Sequence, residues 1–210
     1  KDIFNCYYQN TDLYPNYQFR RLGYDNDTAL SIGTFHSDVK EEDKKSVKNL
    51  LSSNKNFIES EIIIIADRFL QDEVEALPNF INYLEKYKKQ VILLSKSNEY
   101  ETLEAPLRTQ VDIKLLEIFK NKDEFKLEHK NELEKIMYKK RMVGEYEDIN
   151  VQLSEIAKKY KIKYLKKQDF LCDEDNSSCD AFTTDGYKIY YDYGHYPLQG
   201  AKDLGEKIYN

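Results

Sequence analysis

No stretch of this 210-residue chain is apolar for long enough to cross a bilayer: the longest such run is Ile62–Ala66, where a spanning helix needs ~20 residues. Nor does the chain open on a charged-then-apolar leader. Basic residues are outnumbered, with Lys+Arg 32 against Asp+Glu 38 and a net charge of −6. A sequence-blind grip on phosphates wants a basic excess, so no nucleic-acid partner is expected. Gly (7) and Pro (4) are scarce, and no low-complexity linker or repeat interrupts the chain. A single domain over 1–210 is therefore expected. Neither G-x-G-x-x-G nor a P-loop is present, so nucleotide binding lacks its phosphate cradle.

Metal-binding patterns are missing as well. Cysteine is limited to Cys6, Cys172 and Cys179. The Cys172-x6-Cys179 spacing is too wide for a zinc pair, and the ligands are too few. In DEDNSSCDAFTT, Asp173 and Asp175 alternate as in a calcium loop. Ser178 stands where that loop needs Gly, however, and Thr184 where it needs the bidentate Glu. His36 and His129 have no partner at ligand spacing. No metal and no cofactor are expected. Cys172 and Cys179, in a polar stretch, read as a local disulfide formed in an oxidising compartment; two thiols in a cytosolic protein are the alternative. Cys6, among apolar and aromatic neighbours, reads as a small buried hydrophobe.

What the chain does have is 40% hydrophobic residues, enough for a core, in an alternating pattern. Ile62–Ile65 is a β-branched run too short for a helix and predicts a buried strand. Val74, Leu77, Phe80, Ile81, Leu84 and Tyr87 share one helical face, and Val91–Leu94 predicts the next strand. Strand, helix, strand is a βαβ unit, which favours a parallel sheet. Helices are expected over 111–125, 128–142 and 147–160, the last with Ile149, Leu153, Ile156, Ala157 and Tyr160 on one face. Ile162–Leu165 predicts a short strand. Tyr187, Ile189 and Tyr191 alternate like another. Leu198, Ala201, Leu204 and Ile208 fall at helical spacing behind Pro197, which suits a helix start. The fold class is α/β: a three-layer α/β/α domain with a flavodoxin-like parallel sheet.

In such sheets, sites form in the loops after the strands. Three segments qualify: Ala66-Asp67-Arg68, the Ser95–Pro106 loop, and Asp192-Tyr193-Gly194-His195. The last is the most suggestive. An Asp three residues ahead of a His on a turn can place its carboxylate beside the imidazole. It then fixes the tautomer and stabilises the imidazolium formed when the ring accepts a serine proton. Taken alone, D-x-x-H is a weak signal, matched by any capping Asp followed by a surface His.

Its context is more specific. From Cys172 the chain reads CDEDNSSCDAFTTDGYKIYYDYGHYPLQGA. In order these are a cysteine pair, an Asp-Gly turn, a short aromatic strand, D-x-x-H, and Gly-Ala opening the final helix. This resembles the end of SGNH-type esterase and acyltransferase domains. It is most similar to those fused behind type-3 membrane acyltransferases, which O-acetylate surface polysaccharides. Upstream, Glu61-IIIIADRF-Leu70 resembles their strand ending in Ala-Ala-Arg-aromatic, and Gln90-VILLSK occupies the place of the next strand. The family follows its His with Leu-Ser, whereas Tyr196 and Pro197 stand here.

The resemblance implies the SGNH hydrolase fold and a Ser-His-Asp triad with His195 as general base and Asp192 as its orienting carboxylate. Arg68 would contact substrate or anchor its own loop. It further implies a cell-surface carbohydrate substrate, an acyl donor, and an N-terminal membrane acyltransferase domain tethering this one on the extracytoplasmic side. The family's serine lies in Gly-Asp-Ser-His, and no such tetrapeptide occurs here. Gly33-Thr34-Phe35-His36, after Ala29–Ile32, is the nearest imitation.

Two readings follow. In one, the chain, which begins at Lys1 rather than Met, is a fragment starting just after the nucleophile. Lys1–Asn5 then resembles the first turns of the helix behind the serine, and the fragment alone would be inactive. On that reading the Lys1 Cα would lie within roughly 15 Å of the His195 ring. In the other, the motif has decayed, leaving an SGNH-like domain that binds a glycan or a partner. An unrelated flavodoxin-type domain is the third possibility.

Overall fold

The computed structural model describes residues 2–20, 32–104, 108–120, 124–141 and 144–209. Its elements in chain order are α1 (Asp2–Tyr8), a 3-10 turn (Ile32–Phe35), α2 (Glu41–Ser53), α3 (Lys55–Glu59), β1 (Ile62–Ile65), α4 (Gln71–Glu85) and β2 (Gln90–Leu94). There follow β3 (Thr102–Glu104), β4 (Arg108–Thr109), α5 (Gln110–Lys120), α6 (Leu127–Lys140), α7 (Glu145–Tyr160) and β5 (Lys163–Leu165). A 3-10 turn (Lys167–Phe170), β6 (Cys172–Asp173), β7 (Ser178–Cys179) and α8 (Leu198–Tyr209) close the chain. Contacts divide the molecule into two compact units, each assembled from separated stretches of chain.

One unit comprises 20–96 and 145–166. It holds a parallel sheet in the order β1-β2-β5, with Ile62 paired to Gln90 and Ile92 to Lys163. The expected strand, helix, strand succession is present, and with it the α/β class. Pleating sends Ile63, Ile65, Val91 and Leu93 to one side. There they share a core with Val74, Leu77, Phe80, Ile81 and Leu84 of α4 and with Ile149, Leu153 and Ala157 of α7. These helical residues recur every three or four positions because that spacing builds one apolar stripe. Ile156 and Tyr160 pack at its margin.

The other unit comprises 1–19, 97–144 and 167–210. Its core joins Cys6, Leu133, Met137, Leu171, Cys179, Ile189, Ala201 and Leu204. Two glycines let α8 approach its neighbours. A Cβ on Gly205 would fall well inside contact distance of the Cys6 carbonyl and the Asn10 amide, and one on Gly200 would strike the Ile189 backbone. The same crossing is fastened by Asn10 Nδ2, which donates to the carbonyls of Cys6 (2.7 Å) and Lys202 (2.9 Å).

Three expected elements differ. Residues 187–191 form no regular strand. Thr183 N–H donates to the Tyr187 carbonyl and Tyr187 N–H returns to Thr183 Oγ1 around Gly186, at φ +84. Backbone groups consumed by that tight turn leave only an isolated bridge, Phe182 to Lys188. The helix expected over 111–125 is described from Gln110 to Lys120 and does not include Phe125, which packs edge-on against Phe182; residues 121–123 lie outside the described residues. Gly33–Phe35 belongs to a 3-10 turn rather than a strand end. Ala29–Ser31, Pro106 and Met142 lie outside the described residues.

Candidate active site

The D-x-x-H turn builds itself from local hydrogen bonds. Asp192 Oδ1 accepts the backbone N–H of Gly194 (3.0 Å) and of His195 (2.9 Å), an Asx-type turn that only a short acceptor side chain can close. The same carboxylate meets His195 Nδ1, at 3.0 Å from Oδ1 and 2.9 Å from Oδ2. Asp192 is thus nearly enclosed, its side chain 9% exposed, while the imidazole is 44% exposed. Burial pushes the Asp192 carboxyl up. The Gly194 and His195 N–H groups and the imidazole more than offset this and hold it below its ordinary range. An ionised carboxylate on Nδ1 selects the tautomer with hydrogen there and leaves Nε2 as the acceptor.

The turn is braced from several sides. Tyr191 N–H donates to the His195 carbonyl (3.0 Å), and Tyr100 N–H to the Tyr193 carbonyl (2.8 Å). Tyr190 and Tyr196, which flank the pair in sequence, are buried against each other with ring centroids 4.8 Å apart and hydroxyls at 3.2 Å. Pro197 accepts the first backbone bond of α8 from Ala201 N–H, so the helix begins directly behind the turn. An imidazole and the carboxylate hydrogen-bonded to its Nδ1 therefore sit on a firmly held loop.

The other sequence-derived candidates fall in different places. Part of the Ser95–Pro106 loop borders the turn: a Cβ on Gly194 would touch the Asn98 carbonyl oxygen at 3.5 Å. Arg68 is an exposed residue following β1 in the unit that carries the sheet, with its backbone N–H on Asp67 Oδ1 at 2.7 Å. Phe35 does not occupy an open turn. It is buried against Phe80 and Tyr83, at centroid distances of 4.9 and 5.4 Å. His36 lies with Nε2 3.2 Å from Glu75. Lys1, the expected marker of the nucleophile, lies outside the described residues.

The cysteines pair as expected. Cys172 and Cys179 are bonded, 2.04 Å between sulfurs, across the two-stranded hairpin β6-β7. Cys6 stays outside the disulfide as a fully buried thiol. Sequence reasoning missed Asn98, whose amide reaches the Cys172 sulfur at 3.6 Å while its buried Oδ1 has no hydrogen-bond partner among the described residues. It also missed the tether of the hairpin. Arg141 clasps Glu174 with two nitrogens, at 2.9 and 3.2 Å, and Tyr138 and Gln168 donate to the same carboxylate. Only the position of Asn98 in a loop after a strand could have drawn notice.

The family described as the SGNH domain fused to AT3 domains matches residues 17–210. This chain belongs to that family, and the unrelated flavodoxin-type reading falls away. The match runs through both compact units. Among solved structures, the periplasmic domain of the lipopolysaccharide acetyltransferase of Salmonella ser. Paratyphi A is similar in fold. Its TM-score is 0.61 at 15% identity, covering 98% of this chain and 77% of that one. No curated protein matches the sequence. No described helix is long and apolar enough to cross a membrane.

Proposed function

We propose that this chain is the greater part of a single carbohydrate O-acyltransferase or acetylesterase domain, working through a Ser-His-Asp triad whose serine lies upstream of Lys1. One observation carries the reading: a family member of this type holds Asp192 on Nδ1 of a half-exposed His195, with Nε2 left to act as base. The serine hydroxyl would attack the donor's acyl carbonyl as Nε2 takes its proton, and Nε2 would return that proton to the departing group. In the second half-reaction Nε2 takes the proton of a sugar hydroxyl, whose oxygen attacks the acyl-serine; the new ester leaves and serine regains its proton. Water in place of the sugar gives hydrolysis. Asp192 stabilises the imidazolium in both halves.

Arg68 is proposed as a substrate contact. The family's fusion to AT3 domains and its relation in fold to a periplasmic domain support the remaining assignments. These are a membrane acyltransferase domain as tether and source of the acyl group, a cell-surface carbohydrate as acceptor, and a site on the extracytoplasmic side. The disulfide suits such a compartment. The absence of Gly-Asp-Ser from these residues favours one alternative, a catalytically inactive SGNH-like domain that binds a glycan or a partner.

Turnover of 4-nitrophenyl acetate by the full-length protein separates the two. The acyl-transfer reading expects turnover that His195→Ala abolishes. Turnover that survives His195→Ala, or none in the full-length protein, would contradict it.

A further inference from the structure

Two tyrosines flank the imidazole of His195, and the proton transfers above use neither. Tyr191 lies nearly parallel to it, with centroids 5.6 Å apart and planes at 22°; Tyr193 stands edge-on at 5.3 Å and 73°. Tyr191 is 60% exposed, yet it is not loosely placed. Its backbone N–H is bonded to the His195 carbonyl, and the Tyr193 carbonyl receives the Tyr100 N–H. Because Asp192 holds Nδ1, Nε2 is directed away from the carboxylate. The Tyr191 ring, stacked on the imidazole and more than half exposed, is therefore an aromatic surface open to solvent beside His195.

We infer that Tyr191, edged by Tyr193, is the platform on which a pyranose ring of the acceptor lies while its hydroxyl is offered to Nε2. A pyranose has a face of C–H bonds whose hydrogens carry slight positive charge, complementary to the negative face of an aromatic ring. Its hydroxyls project from the rim, where they stay hydrated or reach the base. Tyrosine suits the task because a rigid ring with two side-chain torsions loses little freedom on binding. An acyclic alcohol or ester has no such face to offer. The inference deepens the acyl-transfer reading by naming a residue that selects the acceptor, and it rests on that reading for the role given to Nε2.

Saturation-transfer NMR with a mono-O-acetylated methyl hexopyranoside tests it, with sec-butyl acetate as the acyclic control. Saturation should be strongest on the ring C–H protons of the sugar. Tyr191→Ala should weaken binding about fivefold, Tyr191→Leu as much, and Tyr191→Phe by less than about twofold, since the face and not the hydroxyl makes the contact. The platform is overturned if wild type does not bind the sugar, if sec-butyl acetate binds as tightly, if Tyr191→Ala or Tyr191→Leu binds like wild type, or if Tyr191→Phe loses as much as Tyr191→Ala. Turnover that survives His195→Ala would overturn the catalytic reading alone, because the dependence of binding on Tyr191 is measured without turnover.

Discussion

Asp192 does two separable jobs with one side chain. It closes the turn by accepting two backbone N–H groups, and it anchors Nδ1 of His195. Asparagine can keep the first job through its oxygen but presents an NH2 to a ring nitrogen that needs an acceptor. Asp192→Asn in the full-length protein should therefore keep the fold, with an unchanged circular dichroism spectrum, while kcat falls by about 10⁴-fold. A loss under tenfold would remove Asp192 from the triad. This part of the site was legible in the sequence because an i, i+3 turn is a local matter, decided by four consecutive residues. The Asn98 contact with Cys172, 74 positions away, left no such trace. The Tyr191 stack on His195 was equally hidden, since the alternation of 187–191 spoke of a strand that the Gly186 turn pre-empts.

At the scale of elements, β1 and β2 were legible as unbroken apolar runs too short for a helix, and α4, α7 and α8 because each carries a 3.6-residue apolar period. The close approach of α8 was not, since it depends on what faces each glycine. Gly200→Ala should force the helix away from Ile189 and destabilise the protein by roughly 1–3 kcal/mol in chemical denaturation. Gly194→Ala, whose new Cβ would meet only ordinary contacts, should cost under about 0.5 kcal/mol. Equal costs would refute the steric account. The β6-β7 hairpin adds two tests. Its disulfide joins residues seven apart, so replacing both cysteines by serine should remove about 2–3 kcal/mol through loop closure.

The second test of the hairpin is its response to acid. The Arg141 guanidinium and then the Tyr138 hydroxyl hold the Glu174 carboxyl at about 2, against an ordinary 4.5. The unfolded chain thus takes up this proton first. The contribution of Glu174 to stability is complete above about 4.5 and is lost as pH falls towards 2. Glu174→Gln should make the fall of Tm over that interval shallower, lowering proton uptake on unfolding by up to about one proton. An unchanged slope would mean that the carboxylate titrates normally.

For the whole molecule, the family match over residues 17–210 runs through both compact units. The α/β class followed from alternating strands and helices, whereas the division into two units did not, because each unit is gathered from distant stretches of chain. The central claim is that His195, oriented by Asp192, activates a serine that precedes this chain. Labelling the full-length protein with a fluorophosphonate, followed by peptide mass spectrometry, tests it most directly. The account predicts a single labelled serine upstream of Lys1, with labelling lost in His195→Ala. A label within residues 1–210, or one as intense in His195→Ala as in wild type, would contradict it.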